Sequence, residues 1–267
     1  MIFTPQALTI ILPVQATPPS VMVLILAFVI GACLGSFVQA AALRLNQEED
    51  VIKQPSRCRT CQKVLKWHDN LPVLGWLKTL GRCRQCKAII SSRYLLVEVF
   101  LGVMAALMVA YFPIFIASAL ILGIALMTIC ALTDLDQMLL HLPVMLIMGG
   151  VGFILSLLPF WPLSPMAALL GMIAPLLLIT VINLIYMLIR GETGFGSGDY
   201  WLLGAVGLWM GPLFSTALFF IAAILGAVIG IALISLKKGH GQTALPFGIF
   251  ISLVFICWPI LNILVII

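Results

Sequence analysis

Apolar residues in this chain do not alternate with polar ones; they run together. Hydrophobic stretches lie near 20–43, 94–112, 114–133, 144–160, 165–189, 200–212, 213–236 and 247–267, with short breaks between them. A membrane-spanning helix needs about 20 predominantly apolar residues, and several of these stretches meet that length. Pro113, the "PFWPLSP" stretch and Gly211-Pro212 mark turns between them. The pattern predicts an all-α polytopic membrane protein with about eight transmembrane helices, of which the segment near 200–212 is short for a span. Only 44–93 departs from it, as the one sizeable soluble segment.

Composition agrees. The chain is 63% hydrophobic and 9% charged, with a mean hydropathy of +1.23. Soluble domains run nearer half apolar and about a quarter charged. The first charged residue is Arg44. No basic region therefore precedes the first apolar stretch, which is expected to be a retained span and not a cleaved signal.

Charge placement orients the spans. Of 14 Lys and Arg residues, 11 fall between Arg44 and Arg93, and the others are Arg190, Lys237 and Lys238. Positive residues beside spans mark the cytoplasmic side. With Arg44 there, eight alternating spans put Arg190 and Lys237–Lys238 on the same side, and both termini outside. The basic segment is expected to meet anionic lipid headgroups, and no nucleic acid. The expected division is 1–43 (outer segment and first helix), 44–93 (cytoplasmic) and 94–267 (membrane domain).

The soluble segment carries "CRTC" (Cys58, Cys61) and "CRQC" (Cys83, Cys86), a C-x2-C-x21-C-x2-C pattern. Two such knuckles supply four thiolates in the tetrahedron that structural zinc prefers. A segment this small and polar cannot build much core, so a metal staple is physically sensible. Disulfides are disfavoured by a reducing cytoplasm, and a redox CxxC by the doubling of the motif. Four thiolates leave no open position for metal catalysis. Cys33, Cys130 and Cys257 sit in apolar runs as small buried hydrophobes. His68 and Asp69, between the knuckles, are expected to be polar loop residues. No convincing internal repeat is visible.

Four of the nine acidic residues, Glu98, Asp134, Asp136 and Asp199, stand at or inside span ends, where a charge is costly. Topology puts Asp134, Asp136 and Asp199 at the cytoplasmic boundary, and Glu98 opens a span on the same side. On a helix Asp134 and Asp136 point about 200° apart, so only one can face Asp199. Two carboxylates in a poorly solvated site resist ionising together. One then activates water as a base while its protonated partner donates, which is aspartic-protease chemistry. Gly196 and Gly198, in "GFGSGDYW", let the backbone bend and a peptide approach. Solvated boundary carboxylates are the plain alternative.

The ordered set "GACLGSFVQAAALRLN", "CRTC", "WHDNLPVLGWLKTLGRCRQC", "ISSRYLLVEVF", "LTDLDQMLL", "GFGSGDYWLLGAVGLWMG" and "LPFGIF" resembles the type 4 prepilin peptidases. These are bifunctional leader peptidases and N-methyltransferases of the GxGD aspartyl class. The resemblance implies cleavage of type 4 prepilins or type II secretion pseudopilins at the cytoplasmic face of the bacterial inner membrane. The cut follows a glycine that ends a basic leader. S-adenosylmethionine-dependent methylation of the new N-terminus comes next. By motif position Asp134 and Asp199 would be the catalytic pair and Asp136 peripheral. Cys58, Cys61, Cys83 and Cys86 would hold zinc, and Gly81 would be associated with methylation.

The chain departs from that pattern at His141 and Leu142 (usually Pro and Asp), at Tyr200 and Trp201 (usually a hydrophobic residue and Lys), and at Gln39 (usually Asn). No glycine-rich strand–turn–helix marks a cofactor site, so S-adenosylmethionine rests on the resemblance. A proton-coupled transporter would instead place carboxylates near mid-bilayer in broken, repeated spans. A non-enzymatic zinc-ribbon scaffold would need the cysteines but not the aspartates.

Overall fold

Ser20 precedes the first apolar run, and from it Val21–Leu45 forms helix α1. The computed structural model describes residues 12–15, 17, 19–236 and 245–266. A single 3-10 turn at Trp67–Asp69 and the six-residue α2 (Leu74–Thr79) follow. Then come α3 (Arg93–Tyr111), α4 (Ile114–Gln137), α5 (Leu142–Ser156), α6 (Pro165–Arg190), α7 (Ser197–Ser235) and α8 (Phe247–Ile266). Among the described residues there are no strands, only two isolated bridges.

Among the described residues six helices, α1, α3, α4, α6, α7 and α8, are long and apolar enough to cross a membrane. The eight expected segments are thus present, though not as eight separate spans. α5 has 15 residues, about 22 Å at 1.5 Å per residue, against a hydrocarbon core of about 30 Å. The expected segments 200–212 and 213–236 are the two helical halves of α7, divided at Gly211. Gly211 has φ 72° and ψ 177°, and Pro212 follows it. The proline withholds an amide from the ladder, yet its fixed φ suits the first position of a new helical stretch. The Gly-Pro break therefore reverses the chain, as expected of a turn: Phe219, eight residues after it, returns to within 6.0 Å of Phe195 at the start of α7, ring centroid to centroid. Lys237, Lys238 and the outer residues 1–11 lie outside the described residues.

The chain divides into two compact units whose border falls inside α4, between Ala125 and Leu126. In the first unit α1 packs on α3 through small residues. A Cβ at Gly31 would fall on the Leu101 carbonyl and one at Gly35 on the Glu98 backbone, so the two helices touch backbone to backbone.

In the second unit α6 and α7 meet in the same way at Gly171, Gly207 and Gly211. Pro175 lies within α6, which ends at Gly191 in the left-handed conformation, φ 77°. Trp209 of α7 is fully buried, fits over Gly152 of α5, and donates from Nε1 to the Met148 carbonyl at 2.7 Å. An indole N–H in an apolar interior needs such a partner. Ser215 lies 2.7 Å from the Gly211 carbonyl and 3.0 Å from that of Gly171, and so satisfies the break from within.

Candidate active site

α4 ends in "TDLDQ", and its pitch separates its two aspartates. Asp134 is buried, 4% exposed, while Asp136 is exposed. Oδ2 of Asp134 accepts a hydrogen bond from the Ile249 amide at 3.0 Å, in the first turn of α8, and the Gly248 amide also faces it. Unpaired amides at a helix N-terminus readily bind a carboxylate.

Asp199 is the third residue of α7, half-buried, and its Oδ2 accepts from the Gly196 amide at 3.1 Å. That is the acidic half of a capping box, with glycine in place of the usual hydroxyl residue. The Asp134 and Asp199 carboxylates are close enough for their charges to interact. Leu140, in the link to α5, packs between their supports. Cβ atoms built at Gly198 and Gly248 would each lie 3.0 Å from the Leu140 side chain.

Two further ties hold the loop before Asp199. Asn183 of α6 donates from Nδ2 to the Tyr200 hydroxyl at 3.1 Å and accepts from the Gly194 amide at 2.8 Å. The Phe195 ring stacks on Phe247 at 5.3 Å and on Phe219 at 6.0 Å, centroid to centroid. His141 precedes α5, where its carbonyl accepts from the Val144 amide, and burial lowers its pKa so that the neutral form is favoured. Trp201 is 53% exposed.

The four knuckle cysteines form a separate centre in the first unit, with their sulfurs all within 4.8 Å of one another. The Cys58–Cys86 sulfur distance is 3.7 Å, near the ~3.8 Å edge of a tetrahedron with 2.3 Å zinc–sulfur bonds. Amides of Cys61 and Thr60 point at the Cys58 thiol and lower its pKa to about 6; those of Cys86 and Gln85 lower that of Cys83. The donor set and its spacing fit a tetrahedral thiophilic metal.

The two knuckles are built alike. Bridges pair Arg57 with Val64 and Arg82 with Ile89, and left-handed residues fall at Gln62 and Lys87. Each first cysteine donates its amide to the carbonyl five residues on, Lys63 and Ala88 respectively, and its own carbonyl accepts from the amide four residues on. This is a short local repeat, "RCRxC". Asp69 pairs with Arg84 at 2.5 Å, tying the intervening loop to the second knuckle, as a loop role for it requires.

Gly81 has φ 65°, and a Cβ there would strike the Trp76 ring. Its glycine thus has a conformational reason of its own. Glu98 is buried and bound by the Val73 amide at 2.7 Å within the first unit.

The profile of the bacterial peptidase A24 N-terminal domain matches residues 29–112, and that of the type IV leader peptidase family matches residues 120–231. A prepilin leader peptidase/N-methyltransferase of Aeromonas salmonicida is 33% identical over 201 residues, covering 74% of this chain and 68% of that protein. Its counterpart in Aeromonas hydrophila is 30% identical over 255 residues, covering 85% and 87%, and that of Stutzerimonas stutzeri is 27% identical over 251 residues, covering 85% and 86%. The chain belongs to the type IV leader peptidase family. No solved structure matches it.

Within this leader peptidase, the second unit holds Asp134, Asp199, Gly196 and Gly198 at helix ends. Sequence reasoning singled out those four residues but gave no part to Ile249, Leu140, Phe195, Phe247 or Asn183. Asn183 has a legible signal: an amide within an apolar run is costly and needs a partner.

Proposed function

We propose that this protein is a membrane aspartic endopeptidase that removes the leader of prepilins and then methylates the new N-terminus, with Asp134 and Asp199 as the peptidase's acid and base. The supporting observation is the pairing itself. Two carboxylates from different helices, each anchored by a backbone amide, lie within charge reach at helix ends. A water between them would give its proton to the ionised carboxylate as its oxygen attacks the scissile carbonyl, while the protonated partner donates to the carbonyl oxygen. The tetrahedral intermediate then collapses with the C–N bond broken, and the proton held by the base passes to the leaving amine. Gly196, where a Cβ would meet only Asp199 Oδ2 at 3.7 Å, leaves room for an extended strand, while Leu140 closes the space at Gly198.

The expected substrates are type 4 prepilins or type II secretion pseudopilins, cut after the glycine that ends a basic leader. The cytoplasmic face of the bacterial inner membrane is the expected setting. Support comes from Arg44, the basic segment and Arg190, which the positive-inside rule puts on one side. The same segment, 44–93, is the expected metal-binding domain, and 94–267 the protease domain.

Cys58, Cys61, Cys83 and Cys86 would hold zinc as a structural staple. For S-adenosylmethionine, the first unit offers an open groove of about 390 Å³. Phe37, Arg44, Gln54, Ser56 and Asn70 line it, offering an aromatic face, a guanidinium and neutral polar groups. That set fits an adenosine joined to an amino acid, and these residues would hold it. When bound, the cofactor supplies the methyl group. Gly81, near the second knuckle, would shape this unit through its turn against Trp76.

Mass spectrometry of a candidate pilin's N-terminus, with and without the protein, reads cleavage and methylation together. A leaderless, methylated N-terminus that depends on Asp134 and Asp199 is the expected result. Processing unchanged in Asp134→Ala or Asp199→Ala would remove the assignment.

A further inference from the structure

We propose that the Phe195–Phe247 ring contact is a clamp that sets the separation of Asp134 and Asp199; the proposal rests on the reading of that pair as acid and base. The argument is one of connectivity. Phe195 immediately precedes Gly196, whose amide binds Asp199. Phe247 immediately precedes Gly248 and Ile249, whose amides face Asp134. The two rings touch at 5.3 Å. From one carboxylate to the other the path therefore runs through two hydrogen bonds, one ring contact and a few residues of backbone.

The remaining contacts fit a positioning role better than simple core filling. In the eight residues "GETGFGSG" that lead to Asp199, Phe195 is the one apolar side chain. The glycines around it have no side chain with which to hold the loop, so its ring is the loop's apolar handle. Neither Phe195 nor Phe247 is fully buried, whereas Phe219, which touches both at 6.0 and 6.1 Å, is 2% exposed. Phe219 belongs to the second half of α7, which the Gly211 break returns to the start of the half that carries Asp199. The clamp is thus rooted in the helix that carries one carboxylate and closes on the helix start that holds the other. Interdigitated rings resist sliding, because packed side chains occupy discrete positions. A chemical step that needs both carboxylates on one water is sensitive to shifts of about 1 Å, which can cost about a hundredfold in rate.

The test uses the full-length enzyme in lipid nanodiscs with a leader-bearing prepilin. Phe195→Ala and Phe247→Ala are expected to lower kcat by about ten- to a hundredfold with KM changed by less than about twofold. Phe195→Tyr and Phe247→Tyr, which keep the ring, are expected to stay within about threefold of the parent enzyme. The double alanine variant should be no slower than the worse single one, because two halves of one device do not add. Phe195→Leu and Phe247→Leu give milder lesions should an alanine variant fail to fold, and thermal unfolding is followed throughout. Unchanged kcat in the alanine variants, or equal losses in the tyrosine and alanine variants, would overturn the clamp. Asp134→Asn and Asp199→Asn are assayed alongside. If either still cleaves at the parent rate, the acid–base reading fails. If both are inactive while Phe195→Ala and Phe247→Ala are fully active, only the clamp fails.

Discussion

The Asp134 carboxylate and the Ile249 amide meet at 3.0 Å across 115 residues of chain. Gly248 makes the meeting possible. A Cβ there would come within 2.9 Å of Asp134 Oδ2 and 3.0 Å of the Leu140 side chain, and Asp134 has no slack to give without breaking its bond to Ile249. Gly248→Ala should therefore lower kcat by about tenfold or more. It should also destabilise the fold by about 1–3 kcal/mol, as overpacking does. Gly150→Ala is the matched control: a Cβ there meets nothing within 4 Å, and helical propensity predicts a neutral or slightly stabilising effect. Steady-state cleavage and thermal unfolding of the two variants decide the point.

Helical pitch makes opposite predictions for the two aspartates of α4. Asp134 is buried and Asp136 exposed. Asp136→Asn should leave cleavage within about threefold of the parent. Asp134→Asn, which keeps the shape but cannot take a proton, should cost about 10²–10⁴ in rate, the usual weight of a general acid or base. Single-turnover assays separate these outcomes from changes in substrate binding.

How far the sequence exposes this site depends on the range of the interaction that makes it. Local features are legible: the thiol spacing, the buried face of α4, and an aspartate three residues after a glycine N-cap. The Gly211-Pro212 break is legible in position and in kind, because glycine and proline together end one helical stretch and start another in a new direction. The supports of the carboxylates are not legible. Ile249 gives only its amide to the site, and backbone donors carry no residue-type signature. Phe195 and Phe247 look like two more aromatic residues in an oily chain until the fold brings them together. The repeat of the two knuckles lies between these cases, since four matching residues in five, at an offset of 25, are too short to rise above chance.

The sulfur cluster predicts a metal stoichiometry. Purified protein should carry one zinc per chain, and a strong chelator or Cys58→Ser should remove it. A segment with so little core of its own should then lose order. Hydrogen exchange across residues 57–90 is expected to rise, while exchange in α5 through α8 stays at its metal-bound level. Metal content by mass spectrometry and exchange on the same sample check both parts. Retained zinc in Cys58→Ser together with Cys83→Ser would rule out the tetracysteine site.

Asn183 is where an amide inside an apolar helix turns into a test of loop placement. Its Nδ2 donates to the Tyr200 hydroxyl and its Oδ1 accepts from Gly194, so one side chain pins both sides of the Asp199 loop. Asn183→Ala removes both bonds and leaves two polar groups to find new partners, at a cost of about 1–3 kcal/mol. Tyr200→Phe removes only one and should cost about 0.5–1.5 kcal/mol. Asn183→Asp keeps an acceptor for Gly194 and also accepts from the Tyr200 hydroxyl, so it should fall between the two in stability. If the pin also sets the height of Asp199, cleavage rates should follow the same order, with Tyr200→Phe fastest and Asn183→Ala slowest. Equal rates in all three, with stabilities still ranked, would show that the pin holds the loop without placing the carboxylate.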